Sequence, residues 1–471
     1  MNSPAFRLVL ATLAALSLHS RAAAEDIDLY SSNGSGAAPN VLFYLDNSSN
    51  WSNNSQAWAY SDVYAKCGSY SGSARTTCQR YVNQVFGTDT KLVQGDVEIR
   101  ALKLVLDELA CNPPTGTDKL NVNVGLMMFS PSGTGSVDGS YVSGYIRHEI
   151  KPLSTQCADT NVLTSLVADL NAANTNSPAY KSNSSASYSF GLYEAFKYFG
   201  GYSRPDLIVS GSGATAGSPT GRTGFGPDRY GNATDLEDRN AFTDTTAKAT
   251  YKSPITGTNS CGKNFIILIG NTWPNQEGDV NTNTSPYPKE TLMTRLGYDP
   301  GYQIYPVPLP NSEKSNVRFA DEWARFLYST DVSPVDGQQN VQIFTIDVYN
   351  KSQDMKQAKL LQTMAAVGRG LAPDNYAGGY YSVGGDLLAL VNALKETLLQ
   401  IASVNSVFAS ASLPVSVNAQ GTFLNQVFMG VFRPDGQAMQ RWAGNMKQYQ
   451  FQRSGNGLIL AGANKEPAVD P

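Results

Sequence analysis

The sequence predicts an α/β domain built on a doubly wound, mostly parallel sheet with long loop insertions, followed by a short all-β segment. Three observations predict it. The apolar runs Asn40–Leu45 and Asn264–Ile269 (NFIILI) are continuous rather than alternating, as expected of strands covered on both faces. Segments with apolar residues at helical spacing stand between such runs, so strand and helix patterns alternate along the chain, which argues for a parallel sheet. After Ser403 the helical pattern stops and β-type alternation replaces it.

The elements follow in order. Leu8–Leu18 (LVLATLAALSL) behind Arg7 reads as the apolar stretch of an export signal, with Ala22-Ala23-Ala24 as the cleavage site before Glu25. No later segment approaches the ~20 apolar residues of a transmembrane helix. The expected organisation is therefore a signal peptide over 1–24, an N-terminal segment over 25–38, the α/β domain over 39–403 and a β-rich segment over 404–471. Within the domain, Asn40–Leu45 is a strand and Val97–Cys111 a helix with Ile99, Leu102, Leu106 and Leu109 on one side. Leu120–Phe129 is the next strand, with Tyr141–Ile150 alternating like a strand beside it. Val162–Ala172 and Tyr188–Phe199 read as helices. Asn264–Ile269 is a buried strand, Asn316–Tyr328 an amphipathic helix and Val341–Asp347 a strand. Met355–Val367 and Asp386–Ala402 close the pattern as helices. Gly200 to Asn259 is rich in Gly, Ser, Thr and Pro and reads as a surface insertion, spanning about 200–262. Another long loop runs from Trp273 to Pro310. Beyond Ser403, Val407–Val417, Thr422–Phe432 and Arg441–Phe451 alternate as strands.

Composition narrows the function classes. Charged residues make up 16 % and the formal net charge is −4, without a Lys/Arg cluster, so a nucleic-acid partner is not expected. Export permits disulfides. Cys67 and Cys78 flank a short loop rich in Gly and Ser (CGSYSGSARTTC) and are expected to bridge locally. Cys111, Cys157 and Cys261 allow one further bridge and leave one thiol over, in a pairing the sequence does not choose. Zinc is not expected, because the sequence has no C-x-x-C pair and His148 is the one histidine beyond the signal. A serine hydrolase would need His148, which sits in an alternating strand (YIRHEI), and there is no G-x-S-x-G elbow. Glu149 and Asp347 lack companions for acid/base work, so the chain does not read as an enzyme. Asp228, Asp235, Glu237 and Asp238 lie close together but match no EF-hand spacing, and read as a solvated charge run.

One stretch stands apart: PNVLFYLDNSSNWSNNSQAW, Pro39 to Trp58. A buried strand ends at Asp46, and 8 of the next ten residues are Asn or Ser. In parallel sheets of this kind ligands bind beyond the carboxyl ends of the strands. Asp46 and Asn271 both occupy such ends. Trp51, Trp58 and Trp273 lie nearby in sequence and suit either recognition or loop packing.

The sheet pattern together with FYLDNSSN resembles the von Willebrand factor A fold. In that family an Asp-x-Ser-x-Ser motif joins a Thr and an Asp from two later loops to form a metal-ion-dependent adhesion site. The resemblance implies a hard cation, Mg²⁺ or Ca²⁺, held by oxygen donors. It carries over to Asp46, Ser48, Asn50, Ser185 and Asn271. Asn50 and Asn271 stand where the family has Ser and Asp, so the set carries one formal charge and is degenerate. The alternative is that Asp46 and the Asn/Ser loop tie the strand end by hydrogen bonds alone.

Four further segments, EDIDLYSSNGSGAAPNVLFYLDNS, ADEWARFLYSTD, VNSVFASASLPVSVNAQGTFLNQVFMGVFRP and RWAGNMKQYQF, look like the PilY/PilC family of type IV pilus biogenesis proteins. The resemblance covers nearly all of the chain beyond the signal, with only the start of that family's C-terminal β-propeller. It implies a non-enzymatic, exported, pilus-associated adhesin and assembly factor at the cell surface or outer membrane of a Gram-negative bacterium. The implied partners are minor or major pilins, the pilus tip complex and a host or abiotic surface ligand. The alternative is a force-bearing, pilus-priming element that binds neither ligand nor metal.

Overall fold

A computed structural model describes residues 37–47, 51, 57–113, 119–129, 144–153, 157, 188–202, 238–245, 250–257, 262–271, 273–274, 320–348, 355–404, 408–410, 427–433, 443–454 and 457–461. The signal, the helix expected over Val162–Ala172, most of the insertion and most of the second long loop lie outside these residues. The chain divides into two compact units, one of them Ala37–Asn405.

The first unit runs β1 (Asn40–Leu45), β2 (Trp58–Ala59), α1 (Tyr60–Lys66), α2 (Gly72–Phe86), β3 (Lys91–Leu92) and α3 (Gln94–Leu106). A π turn over Asp107–Cys111 extends α3. Next come β4 (Asn123–Phe129), β5 (Gly144–Pro152), α4 (Tyr188–Gly200), β6 (Asn264–Gly270), α5 (Ala320–Ser329), β7 (Val341–Asp347), α6 (Met355–Val367), β8 (Tyr380–Ser382) and α7 (Leu387–Val404). A 6-stranded sheet has the order β5-β4-β1-β6-β7-β8. Its neighbours are parallel except β5, which is antiparallel to β4. The chain starts in the middle and winds outward in both directions, so the expected doubly wound, mostly parallel fold is present. The strand order switches direction between β1 and β6, which places a crevice beyond their carboxyl ends.

Burial explains the unbroken apolar runs. Val41, Phe43 and Leu45 of β1, with Phe265, Ile267 and Ile269 of β6, join the core formed with Val85 of α2, Leu102 of α3 and Leu394 of α7. Leu42, Tyr44, Ile266 and Leu268 face the opposite core, with Leu192 of α4, Trp323 of α5 and Leu361 of α6. Every apolar side chain of β1 and β6 thus belongs to one layer or the other. Close approach matters here: a methyl on Gly191 of α4 would lie 1.6 Å from the Tyr44 hydroxyl oxygen. Alanine there meets a clash that its better helix propensity does not offset.

An asparagine ladder pins the amino ends of the central strands. Asn123 donates from Nδ2 to Asn40 Oδ1 at 2.9 Å, and Asn40 donates from Nδ2 to Asn264 Oδ1 at 2.9 Å. These residues are direct register partners, so the amides lock β4, β1 and β6 against slippage.

The expected bridge Cys67–Cys78 is formed, although the stretch between the two is not a loop: Cys78 lies inside α2. Cys111 pairs with Cys157 across 46 residues, the choice the sequence left open. Closing a loop of that size removes unfolded-chain entropy worth about 4 kcal/mol. Cys261 lies outside the described residues. The insertion is not wholly at the surface. Ala241, Phe242, Tyr251 and Ile255 are buried in the core under α4, and the Tyr251 hydroxyl donates to Glu194, itself paired with Lys197 at 2.8 Å. Of the acidic run, Asp238 is a structural acceptor: Glu149 N–H at 2.8 Å and Asn240 N–H at 3.0 Å donate to its carboxylate.

The second unit holds β9 (Phe408–Ser410), β10 (Val427–Arg433), β11 (Ala443–Ser454) and β12 (Gly457–Ala461) as a 4-stranded sheet in the order β12-β11-β10-β9. All its pairings are antiparallel, as the alternation predicts.

His148 lies in β5 with Nε2 buried and, among the described residues, lacking a hydrogen-bond partner. Burial, then the charge of Arg147, pushes its pKa from 6.5 down to about 4, with Asp238 opposing. The unfolded chain therefore takes the proton first as pH falls from 6.5 towards 4, and stability is lost across that window. His148→Gln should flatten this slope by up to about 2 kcal/mol, the ring's partial exposure allowed for. Urea midpoints at stepped pH values read the difference, and parallel curves for the two proteins would contradict it.

Candidate functional site

The carboxyl ends of β1, β6 and β7 lie side by side. Leu45 is the register partner of Ile269, and Gly270 that of Asp347. Asp46 follows β1 directly, and its N–H extends the ladder to Ile269 O at 3.0 Å. Asn271 follows β6. The two positions picked out by the sequence motif meet at the switch in strand order.

Asp46 is completely buried. Its Oδ2 accepts the Asn271 backbone N–H at 3.0 Å and the Tyr188 hydroxyl at 2.8 Å. Tyr188 is the first residue of α4, so one carboxylate ties together the ends of β1, β6 and a helix from the opposite core. Asp347, at the end of β7, is held similarly: Tyr380 donates to Oδ2 at 3.2 Å and Gln357 to Oδ1 at 3.4 Å. Ser48 and Asn50, and Ser185 with the loop before α4, lie outside the described residues.

The sequence reading missed a contribution from α3. Gln94 and Glu98, one turn apart, are fully buried. Gln94 Nε2 donates to Asn271 Oδ1 at 2.9 Å and to Glu98 Oε1 at 2.8 Å. The other oxygens of this pair, Gln94 Oε1 and Glu98 Oε2, are buried without hydrogen-bond partners among the described residues. Burial pushes the Glu98 carboxyl well above the ordinary carboxylate range, against the Gln94 hydrogen bond and with the Asp46 charge adding to the rise. The signal was present in the sequence. Residues 94, 98 and 102 form an i, i+4, i+8 row, so the apolar stripe that starts at Leu102 continues towards the strand ends as Gln and Glu.

The tryptophans are packing residues. Trp51 and Trp58 are buried, and Trp273 packs against the α4 core. Trp51 accepts the Gly95 N–H at 2.9 Å, and a methyl on Gly95 would fall 2.5 Å from its indole. This contact seats the amino end of α3 beside the loop that follows Asp46.

Among the described residues no group of 3 or more His, Cys, Asp or Glu side chains could hold a metal. The chemistry near Asp46 is instead mixed carboxylate and amide oxygen. A hard cation takes such oxygens, and the two orphaned acceptors on α3 fit that chemistry.

No family model and no curated protein matches the chain. Among solved structures it is similar to the human COPII-coat protein Sec24c, at 9% identity and a TM-score of 0.30, over 90% of this chain and 45% of that one. The match thus spans less than half of that protein's length, and a likeness at this score carries no argument about family or activity.

Asp46→Ala removes an acceptor and strands two buried donors, the Asn271 N–H and the Tyr188 hydroxyl. It should cost about 3–5 kcal/mol. Asp46→Asn keeps one oxygen and should cost roughly half as much. Urea unfolding measures both, and a wild-type midpoint for the alanine variant would refute this account of the strand end.

Proposed function

We propose that this chain is an exported type IV pilus biogenesis factor and pilus-associated adhesin of the PilY/PilC type. It acts without catalysis, through protein or surface contacts made at the strand-end face of a von Willebrand A-like domain. The observation that carries the reading is the meeting of Asp46 and Asn271 at the switch in strand order, where an adhesion site of that fold would lie. The two disulfides add support, because such bonds persist in oxidising compartments. The partners on this reading are minor or major pilins, the pilus tip complex and a host or abiotic surface.

A second reading is favoured by one specific observation. Asp46 Oδ2 already accepts two hydrogen bonds, as a carboxylate does in a purely structural tie. On this reading the domain is a force-bearing, pilus-priming element that binds no ligand.

Gene deletion in the source bacterium, complemented with wild-type or Asp46→Asn chain, separates these. Deletion should strip the cells of most pili, and an unchanged pilus number would sink both readings. In the Asp46→Asn strain the adhesin reading expects a normal pilus count with adhesion per pilus lost. The priming reading expects fewer pili, each adhering normally.

A further inference from the structure

We propose that Asp238 and the turn that follows it guard the edge of the sheet at β5, and that this edge, once unguarded, pairs with the β5 edge of a second copy of this chain. The base of the insertion thereby keeps the domain monomeric, whatever the strand-end face binds.

The 6-stranded sheet ends in β5 on one side and β8 on the other. Each such edge is a row of backbone N–H and C=O groups that can template another strand. The β8 edge has 3 residues and offers little to pair with. The β5 edge has 9, against 6 or 7 in β1, β4, β6 and β7. Its Tyr145, Ile146 and Ile150 are buried in the cores, so the strand is fixed in place along its length. A long, ordered, apolar edge is the kind on which chains associate. Antiparallel pairing of β5 with β5 of a second copy would join two sheets across a two-fold axis, each copy contributing the same groups.

Backbone groups of β5 are taken instead by partners that are not strands. The Asp238 N–H donates to Ile146 O at 2.9 Å. Its carboxylate accepts the Glu149 N–H at 2.8 Å, and the Tyr198 hydroxyl of α4 accepts the Ile150 N–H at 2.8 Å. Lys252, on the returning arm of the insertion, pairs with the Glu149 side chain at 3.1 Å. The register with β4 also slips between Val124 and Leu126 and between Leu126 and Met127, and such bulges twist an edge away from a flat approach. Capping the turn Arg239–Ala241 needs one oxygen of Asp238, the one that accepts the Asn240 N–H at 3.0 Å. The other oxygen is the one that reaches β5. Apolar packing holds this guard in place: Ala241 and Phe242 are buried, and Phe242 stacks on Tyr251 with ring centroids 4.8 Å apart. Backbone bonds from Thr243 N–H to Thr250 O at 3.0 Å and from Lys252 N–H to Ala241 O at 2.8 Å tie the two arms together. The turn is thus a fixed cover. Asp238 adds a negative charge to the edge, which a second copy would have to place opposite its own.

Sedimentation velocity and amide hydrogen exchange of the disulfide-bonded chain, over a wide range of protein concentration, test this. Asp238→Ser keeps an oxygen to cap Asn240 and withdraws the one that reaches Glu149. Wild type should stay monomeric, with its Glu149 amide protected at every concentration. In dilute Asp238→Ser the Glu149 amide should exchange roughly tenfold faster or more, with the amides of β6 still protected. As concentration rises the variant should dimerise and the Glu149 protection should return, which locates the contact on β5. If the Ser variant fails to fold, Asp238→Asn carries the same test, because an Asn whose oxygen caps Asn240 turns its amide N–H₂ towards the Glu149 N–H, donor against donor. A folded variant that stays monomeric at every concentration overturns the proposal. So does a dimer whose Glu149 amide remains unprotected, or a wild type that already dimerises through β5.

Discussion

A carboxylate buried at the end of the central strand must be satisfied where it stands. Water does not reach Asp46, so its oxygens take donors from the chain. Two of these donors come from far along the sequence: the residue after β6 and the first residue of α4. The sheet must therefore place β6 beside β1 in register, and α4 must lie close enough on the opposite core for Tyr188 to reach. Gly191, one turn further along α4, permits that approach by leaving room for Tyr44. The asparagine ladder does the same work at the other end of the strands with neutral amides. Central strand β1 is thus held in register at both ends by polar groups and along its length by apolar ones.

Much of this was legible in the sequence. The unbroken apolar runs gave the central strands because both faces of β1 and β6 are covered. FYLDNSSN and the first polar residue after NFIILIG led to Asp46 and Asn271 because a polar residue ending a buried run has one place to go. Other parts were hidden. Helix α2 buries Cys78, Tyr81, Val82, Val85 and Phe86 at helical spacing, but the Gly and Ser around Cys67 drew attention to a loop. Strand β8 has 3 residues, none buried, too few for any period to show. Gln94 and Glu98 escaped because polar residues near the start of a helix are usually solvated. Only the tertiary structure puts that turn inside. The buried end of the insertion, from Ala241 to Ile255, escaped for the related reason that its few apolar residues have no period of their own.

At this strand end Asn271 is engaged twice. Asn271 contributes a donor from its backbone and an acceptor from its side chain, both engaged. Glu98 of α3 stands two hydrogen-bonded residues from Asp46, and Trp51 seats the amino end of that helix. Adhesion or priming at this face would depend on the rigidity of that arrangement. The hydrogen-bond chain Glu98–Gln94–Asn271–Asp46–Tyr188 links a helix on one side of the sheet to a helix on the other.

Amide hydrogen exchange at Asn271 tests the central claim, that Asp46 organises the strand ends, most directly. The account predicts a slowly exchanging Asn271 N–H in the wild-type chain and loss of that protection in Asp46→Ala, with the amides of Ile266–Ile269 still protected. An Asn271 amide that exchanges equally in both proteins would mean that the strand end is ordered by something other than this carboxylate.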